Sequence, residues 1–196
     1  MQKGDETKER IKDVSRELFH RRGYGSTSIN DILDSSGVKK GNLYFHYQSK
    51  ENLIIEVLKE SLTIYETQIN AGIEHMAAAD QIDSIIEAIT DYHVNGDITK
   101  GCMFGNMALE IGHDGSEISN FVEGVFKRWE ERFEDLLNRA VEKGEIRLKE
   151  PAIVLARMIL ASIEGGVLMS KISGRVEPLT DCTRFIRTVL DERRIR

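Results

Sequence analysis

The chain has 196 residues, with 27 Lys and Arg against 33 Asp and Glu for a net charge of −6; 40% of it is hydrophobic and 31% charged. That balance suits a soluble globular protein of one large domain or two small ones and argues against long disorder. The charge-rich stretch from Met1 to Lys12 carries no secretory signal, and the two cysteines make neither a disulfide framework nor a Cys-rich zinc site. The most apolar run, Ala152 to Ile163, is broken by Arg157 and falls short of the roughly 20 residues of a membrane span. The expected setting is the reducing cytoplasm.

Apolar spacing is helical nearly throughout, and the only prolines are Pro151 and Pro178. Ile11, Val14, Leu18 and Phe19 form the stripe of a first helix that ends at Gly23, after Arg21 and Arg22. Ser26, Thr27 and Ser28 offer caps for a second, with Ile29, Ile32 and Leu33. Thr27 with Asn30 has only part of a capping box. Gly37 stops this helix after about two turns. Lys39 or Lys40 opens a third that runs through Phe45, with Leu43 inward and Phe45 expected in the core. Ser49 caps a fourth, with Leu53, Ile54, Val57, Leu58, Leu62, Tyr65 and Ile69.

The pattern continues with Ile82 to about Val94, a loop between Gly96 and Gly101, and Phe104 to Ile111 closed by Gly112. The cleanest stripe runs from Ile118 to Ala140 and ends at Gly144. A helix from Ala152 to about Ile172 is apolar on most of its circumference, and a last one runs from about Asp181 to Arg193. No segment alternates with period two. The reading is all-α, about nine helices: an N-terminal three-helix helix-turn-helix domain plus a helical core for ligand binding and dimerisation.

Charge is uneven along this framework. The first 60 residues hold 11 basic and 10 acidic side chains, and the remainder 16 and 23. Ser35 to Lys50 contains Lys39, Lys40 and Lys50 and no acid, a local basic patch on an acidic chain. Two short helices joined at Ser35-Ser36-Gly37 have a helix-turn-helix layout, whose second helix enters the major groove. Lys39 and Lys40 suit phosphate or guanine, Gly41 permits close backbone approach, and Asn42 suits an adenine edge. Tyr44, His46 and Tyr47 offer donors to phosphate oxygens, and Lys50 adds charge at a helix N-terminus.

The run Gly-Tyr-Gly-Ser-Thr-Ser-Ile-Asn-Asp-Ile from Gly23, with Gly-Val-Lys-Lys-Gly-Asn-Leu-Tyr-Phe-His-Tyr-Gln-Ser-Lys-Glu-Asn-Leu from Gly37, resembles the DNA-binding domain of the TetR family of bacterial transcriptional regulators. The likeness spans residues 8–58 in order and spacing. It implies a homodimer whose fourth helix couples three DNA-binding helices to an effector-binding core. It implies a repressor on a palindromic operator that a small, largely apolar molecule releases. The family's DNA-contacting positions fall on Thr27, Ser28, Lys39, Lys40, Gly41, Asn42, Tyr44, His46 and Lys50; Asn42 stands where the family more often has threonine. The segment from Gly101 to Glu110 resembles the start of helix 6 in one subgroup. The domains implied are residues 1–48 and 49–196, with helix 4 as connector.

An effector pocket in a helical core is mostly apolar with a few polar groups. Its candidates are Tyr65, Ile89, His93, Phe104, Met107, Phe126, Trp129, Met158 and Ser162, although burial preference favours plain core for any one of them. Glu110, His113 and Glu164 sit in or beside apolar stretches and are candidates to orient a polar ligand, as is His93. The dimer surface is expected on helices 8 and 9, through Gly165, Gly166, Phe185, Ile186, Val189 and Leu190. Cys102 at the start of helix 6 leaves a redox- or electrophile-sensing regulator as the alternative, and Cys182 is read as opening helix 9. No catalytic or phosphate-binding motif is present, and the five histidines have no metal spacing, so no cofactor, metal or enzymatic activity is expected. A helical enzyme or a ligand-sequestering module are the remaining alternatives, and the basic Lys39–Lys50 segment counts against both.

Overall fold

The structure, a computed structural model, describes residues 3–195. Among these the chain is all-α: α1 (Lys3–Arg22), α2 (Ile29–Ser36), α3 (Lys40–His46), α4 (Lys50–Ile69), α5 (Ala78–Asn95), a 3-10 turn (Ile98–Lys100), α6 (Met103–Ile111), α7 (Glu117–Glu142), α8 (Ala152–Ser173) and α9 (Glu177–Asp191). Helix α9 begins four residues before its expected start, with Pro178 in its first turn, so Cys182 lies inside the helix rather than opening it. The chain divides into two compact units, residues up to 64 with 103–123, and residues 65–102 with 124 onward. This division does not follow a single cut at 48/49. Helices α4 and α7 each contribute to both units, and α6 groups with α1 to α3.

In the first unit, Ile11 and Phe19 of α1, Ile32 of α2, Leu43 of α3 and Leu53, Ile54, Val57 and Leu58 of α4 are buried. Ser28, not Thr27, caps α2: its hydroxyl accepts from Asp31 N–H, and the Asp31 carboxylate accepts from Ser28 N–H at 2.7 Å. The missing half of the box was one residue along. Those Ser28 hydrogen bonds also hold the Asp31 carboxyl below its usual range. Gly37 closes α2 in the left-handed region at φ 66°, its N–H on Leu33 O, as the tight turn requires. Glu60 of α4 receives Lys12 at 2.7 Å and also pairs with Arg16. Burial raises the Glu60 carboxyl, but the Lys12 hydrogen bond and the two positive charges outweigh it.

In the second unit, α8 and α9 form an antiparallel pair joined at Gly174. Ser170 Oγ accepts the Leu179 N–H at 3.0 Å, which satisfies an amide of the first turn of α9. A Cβ at Gly166 would lie 3.0 Å from Leu179 Cα, 3.2 Å from Cys182 Cβ and 3.3 Å from Pro178 O. At Gly165 it would meet open space. Ala77 cannot cap α5, and the Glu145 carboxylate does so from the loop after α7, accepting the Ala79 N–H at 2.8 Å. Arg194 reaches back to Asp80 and Asp83 of α5, and Arg193 to Glu150.

The two adjacent glycines should therefore respond oppositely to one added methyl. Gly166→Ala is expected to lose about 1–3 kcal/mol by overpacking α8 on α9. Gly165→Ala should lose nothing and gain up to about 1 kcal/mol from helix propensity. Urea denaturation followed by circular dichroism separates them.

Candidate nucleic-acid interface and ligand cavity

Helix α3 turns one buried residue, Leu43, inward and leaves Lys39, Lys40, Gly41, Asn42 and Tyr44 exposed. Lys40 Nζ stands 5.9 Å from the centroid of the Tyr44 ring, so cation and donor share one surface. Phe45, expected in the core, is 84% exposed, its ring edge-on to His46 at 5.1 Å. In so short a helix Leu43 alone faces α1, and Phe45 falls two positions round. His46 is half-buried.

Four positions read as DNA contacts have bonds to their own fold. Thr27 is fully buried and its hydroxyl donates to Gly23 O at 2.8 Å, because the turn after α1 leaves that carbonyl without a helical partner. Ser28 stays exposed, but its side chain is the α2 cap. Tyr47 is buried with its hydroxyl 3.5 Å from Lys8 O, and burial pushes the phenol up to about 12. Lys50 donates to Tyr24 O at 2.8 Å and Thr27 O at 3.0 Å and lies 4.1 Å from the Tyr24 ring centroid, so its charge is spent on the α1–α2 turn rather than held free for a phosphate.

The same turn is held from its other side. Glu110, weighed above as a ligand-orienting group, belongs to the first unit and accepts the N–H of Tyr24 at 2.9 Å and that of Gly25. A Cβ at Gly23 or Gly25 would come 2.7 or 2.8 Å from its oxygens, so glycine at both positions lets the carboxylate in. His113 is exposed, 4.0 Å from Glu123.

The second unit contains a cavity of about 360 Å³. Its apolar wall is Ile69 and Ile73 at and after the end of α4, Ile85 and Ile89 of α5, Phe133 of α7, and Leu160 and Ile163 of α8. Tyr65 and Trp129 add aromatic surface, their rings tilted and their centroids 5.4 Å apart; Tyr92, outside the lining, is edge-on to Tyr65 at 5.0 Å. Polar groups converge on it: Glu66, Asn70, Glu74, Arg128, Arg132 and Glu164. Burial pushes the Glu164 carboxyl up to about 7, against the opposing pull of a hydrogen bond from the Cys102 thiol. Burial raises the Tyr65 phenol well above its usual range, and the nearby Cys102 and Glu164 charges add to this.

Of the expected pocket residues, Tyr65, Ile89 and Trp129 line this cavity. Phe104 and Met107 are buried in the first unit, because α6 packs there. His93 is buried off the cavity wall; Phe126 touches Trp129 from outside it at 5.4 Å, and Ser162 does not line it. Met158 is 58% exposed, on the opposite face of α8 from Ile159 and Ile163. On the expected dimer surface, Phe185 is 66% exposed and Val189 half-buried, but Ile186 and Leu190 are buried in their own chain and Gly166 is used against α9. The α9 stripe turns inward onto α5 and α8, and this covers its periodic apolar residues. Arg128, Arg132 and Asn70 carried no sequence signal for the cavity, since each reads as an ordinary solvated helix position.

The turn makes a clear expectation. Lys50→Met should cost the free protein about 1–3 kcal/mol, by leaving two carbonyls without their charged donor, while Lys40→Met should cost none. Thermal unfolding without DNA distinguishes a structural lysine from an interfacial one.

Residues 11–57 match the family described as bacterial regulatory proteins, tetR family, and residues 78–185 match the transcriptional regulator LmrA/YxaF-like C-terminal domain. The chain is 30% identical to the HTH-type regulator YxaF of Bacillus subtilis over 90% of this chain and 91% of that protein. It is 28% identical to LmrA of the same organism over 97% and 99%. A TetR regulator from Chloroflexus aurantiacus superposes with a TM-score of 0.90 at 28% identity, over 99% of this chain and 98% of that one. These relatives are transcriptional regulators, not enzymes. A helix-turn-helix with α3 presented outward and a helical unit enclosing a cavity agree with them, and the chain belongs to the TetR family of DNA-binding transcriptional regulators, with an LmrA/YxaF-like C-terminal domain.

Proposed function

We propose that this regulator is a cytoplasmic repressor that binds a palindromic operator as a homodimer through α3 and leaves it when a small, largely apolar effector enters the cavity. The observation that carries the reading is the pairing of an outward basic helix with an enclosed apolar cavity in one chain. At the DNA, Lys39 and Lys40 meet phosphate or guanine, Asn42 meets an adenine edge, and Tyr44 donates to a phosphate. Phe45 joins this set, its exposed ring suited to a thymine methyl. DhaR of Mycobacterium, 26% identical over 88% of this chain, is a transcriptional repressor, and the proposal carries that role over to this protein.

The dimer reading is supported by α8. Among the described residues it is the one helix long and apolar enough to cross a membrane, yet most of its apolar window is uncovered in the single chain. Leu168, Met169 and Ile172 of α8 and Phe185 of α9 stand exposed. An apolar surface of this kind on a soluble protein calls for a partner, and a two-fold pairing covers it with itself.

For release, α4 is one continuous helix: Lys50 at one end holds Tyr24 and Thr27, and Tyr65 and Ile69 near the other line the cavity. A second covalent path starts at Cys102, bonded to Glu164, and leads through α6 to Glu110 on the same turn. About 100-fold weaker operator binding needs roughly 2.7 kcal/mol of difference in effector affinity between the two states. Cys102 is buried, whereas a reactive thiolate needs an exposed, electropositive setting, so the redox alternative is the weaker reading.

Two experiments test this. Lys40→Ala with Tyr44→Ala should weaken binding to operator DNA, recovered by selection from the parent genome, and flatten its salt dependence by about one for each lost phosphate contact. Undiminished affinity across several salt concentrations removes α3 from the interface. Ile172→Glu with Phe185→Glu should give folded monomers by sedimentation velocity at micromolar concentration, and a persistent dimer places the interface elsewhere.

A further inference from the structure

A carboxyl group inside an apolar wall must find a counter-charge or give up its proton. Glu164 has found no counter-charge in its own chain. Among the described residues no basic side chain lies within ion-pair distance of it, and the hydrogen bond it receives comes from the Cys102 thiol, a weak donor. The cavity's two arginines do not serve it. Arg128 is 3.7 Å from Glu66, and the influences on Glu164 are burial and Cys102 alone. The cavity's aromatic lining, Tyr65, Trp129 and Phe133, is of the kind that attracts cations, with the Tyr65 and Trp129 centroids 5.4 Å apart.

We propose that the cavity takes a lipophilic organic cation, an aromatic amine or quaternary ammonium compound, whose charge pairs with the Glu164 carboxylate and whose apolar part lies against Tyr65, Trp129 and Phe133. This rests on the reading of the cavity as the effector site and specifies its ligand class. The ligand supplies the counter-charge the chain lacks, and the enclosing wall makes the pairing stronger than at a surface. An anion would have to lie near the same carboxyl, with Arg132 its only uncommitted cation on the wall. A neutral ligand would use Glu164 as a protonated donor.

The three cases differ in their pH dependence. With the Glu164 carboxyl near 7, a ligand that needs the carboxylate binds about tenfold more tightly at pH 8 than at pH 6, while one that needs the protonated acid binds more weakly. The other ionisable groups nearby are Tyr65, Glu66 and Glu74 on or after α4, Tyr92 and His93 of α5, Cys102, and Arg128 and Arg132 of α7. A Glu164→Gln variant separates Glu164 from all of these.

The probe is benzyltrimethylammonium, which cannot itself titrate, against its uncharged carbon isostere neopentylbenzene and against phenylacetate. Binding is read by Trp129 emission, the chain's one tryptophan, and by calorimetry at pH 6, 7 and 8. The expected result is tighter binding of the cation than of either control, an affinity rise of about tenfold from pH 6 to 8, and a loss of at least tenfold in Glu164→Gln with neopentylbenzene binding retained. Retained binding of the isostere shows that the variant is folded, and the pH series on the unaltered protein stands without it. Equal or tighter binding of either control, or no binding of the cation at millimolar concentration, overturns the proposal. So does a cation affinity indifferent to pH and to Glu164→Gln. A parallel operator-release assay keeps the two readings apart. A cation that binds through Glu164 but leaves the operator occupied refutes the effector reading and upholds the site. Release by neopentylbenzene without cation binding does the reverse.

Discussion

The turn between α1 and α2 has backbone donors and acceptors that no helix satisfies, and both kinds are claimed by distant side chains. Lys50 takes the carbonyls of Tyr24 and Thr27, and Glu110 takes the N–H groups of Tyr24 and Gly25. The Lys50 bonds are part-buried and the Glu110 bonds exposed, so leaving the Lys50 carbonyls unmet costs the more, and together the two charged residues hold the turn. The turn in turn places the Ser28 cap, hence the start of α2, hence the tight Gly37 corner that presents α3. A cation at the start of α4 and an anion on α6 thus bear on the direction of α3.

Burial and charge divide the second unit in a comparable way. Its part-buried ion pairs at Arg193 and Arg194 tie the chain end to α5 and the loop before α8, each acid met by a guanidinium. Glu164 is the opposite case, a carboxyl in an apolar wall with its proton held close to neutral pH. Its hydrogen-bond donor, Cys102, is the residue immediately before α6 in the chain.

Helix α8 explains why an acidic, highly charged chain can contain a run apolar enough to resemble a membrane span. One face, with Leu155, Ile159, Ile163 and Val167, is covered by its own chain. Another, with Leu168, Met169 and Ile172, is open. One covered and one open apolar face put apolar residues around most of the helix circumference, and Gly166 spends its missing side chain on the inner face against Leu179.

Helix number, order and type were legible in the residues, because 3.6-residue apolar spacing and glycine stops are local properties. Lys39, Lys40, Asn42 and Tyr44 were legible as an exposed set for the same reason: a short helix with one inward leucine leaves its other positions outside. Proline position alone left the start of α9 four residues late. Local pattern did not reveal that Thr27, Tyr47 and Lys50 serve the fold, since a polar side chain reads alike whether it faces phosphate or a backbone carbonyl. Nor did it separate Phe45 from Leu43, both apolar and two residues apart, or Gly165 from Gly166. Which groups of Tyr24 and Gly25 meet Glu110, and which wall receives Glu164, depends on pairs 62 to 86 positions apart in the chain. The sequence by itself determined the helices and the family; only tertiary packing decided which polar residues are free to act, because burial and partnership belong to the folded surroundings of a residue and not to its neighbours in the chain.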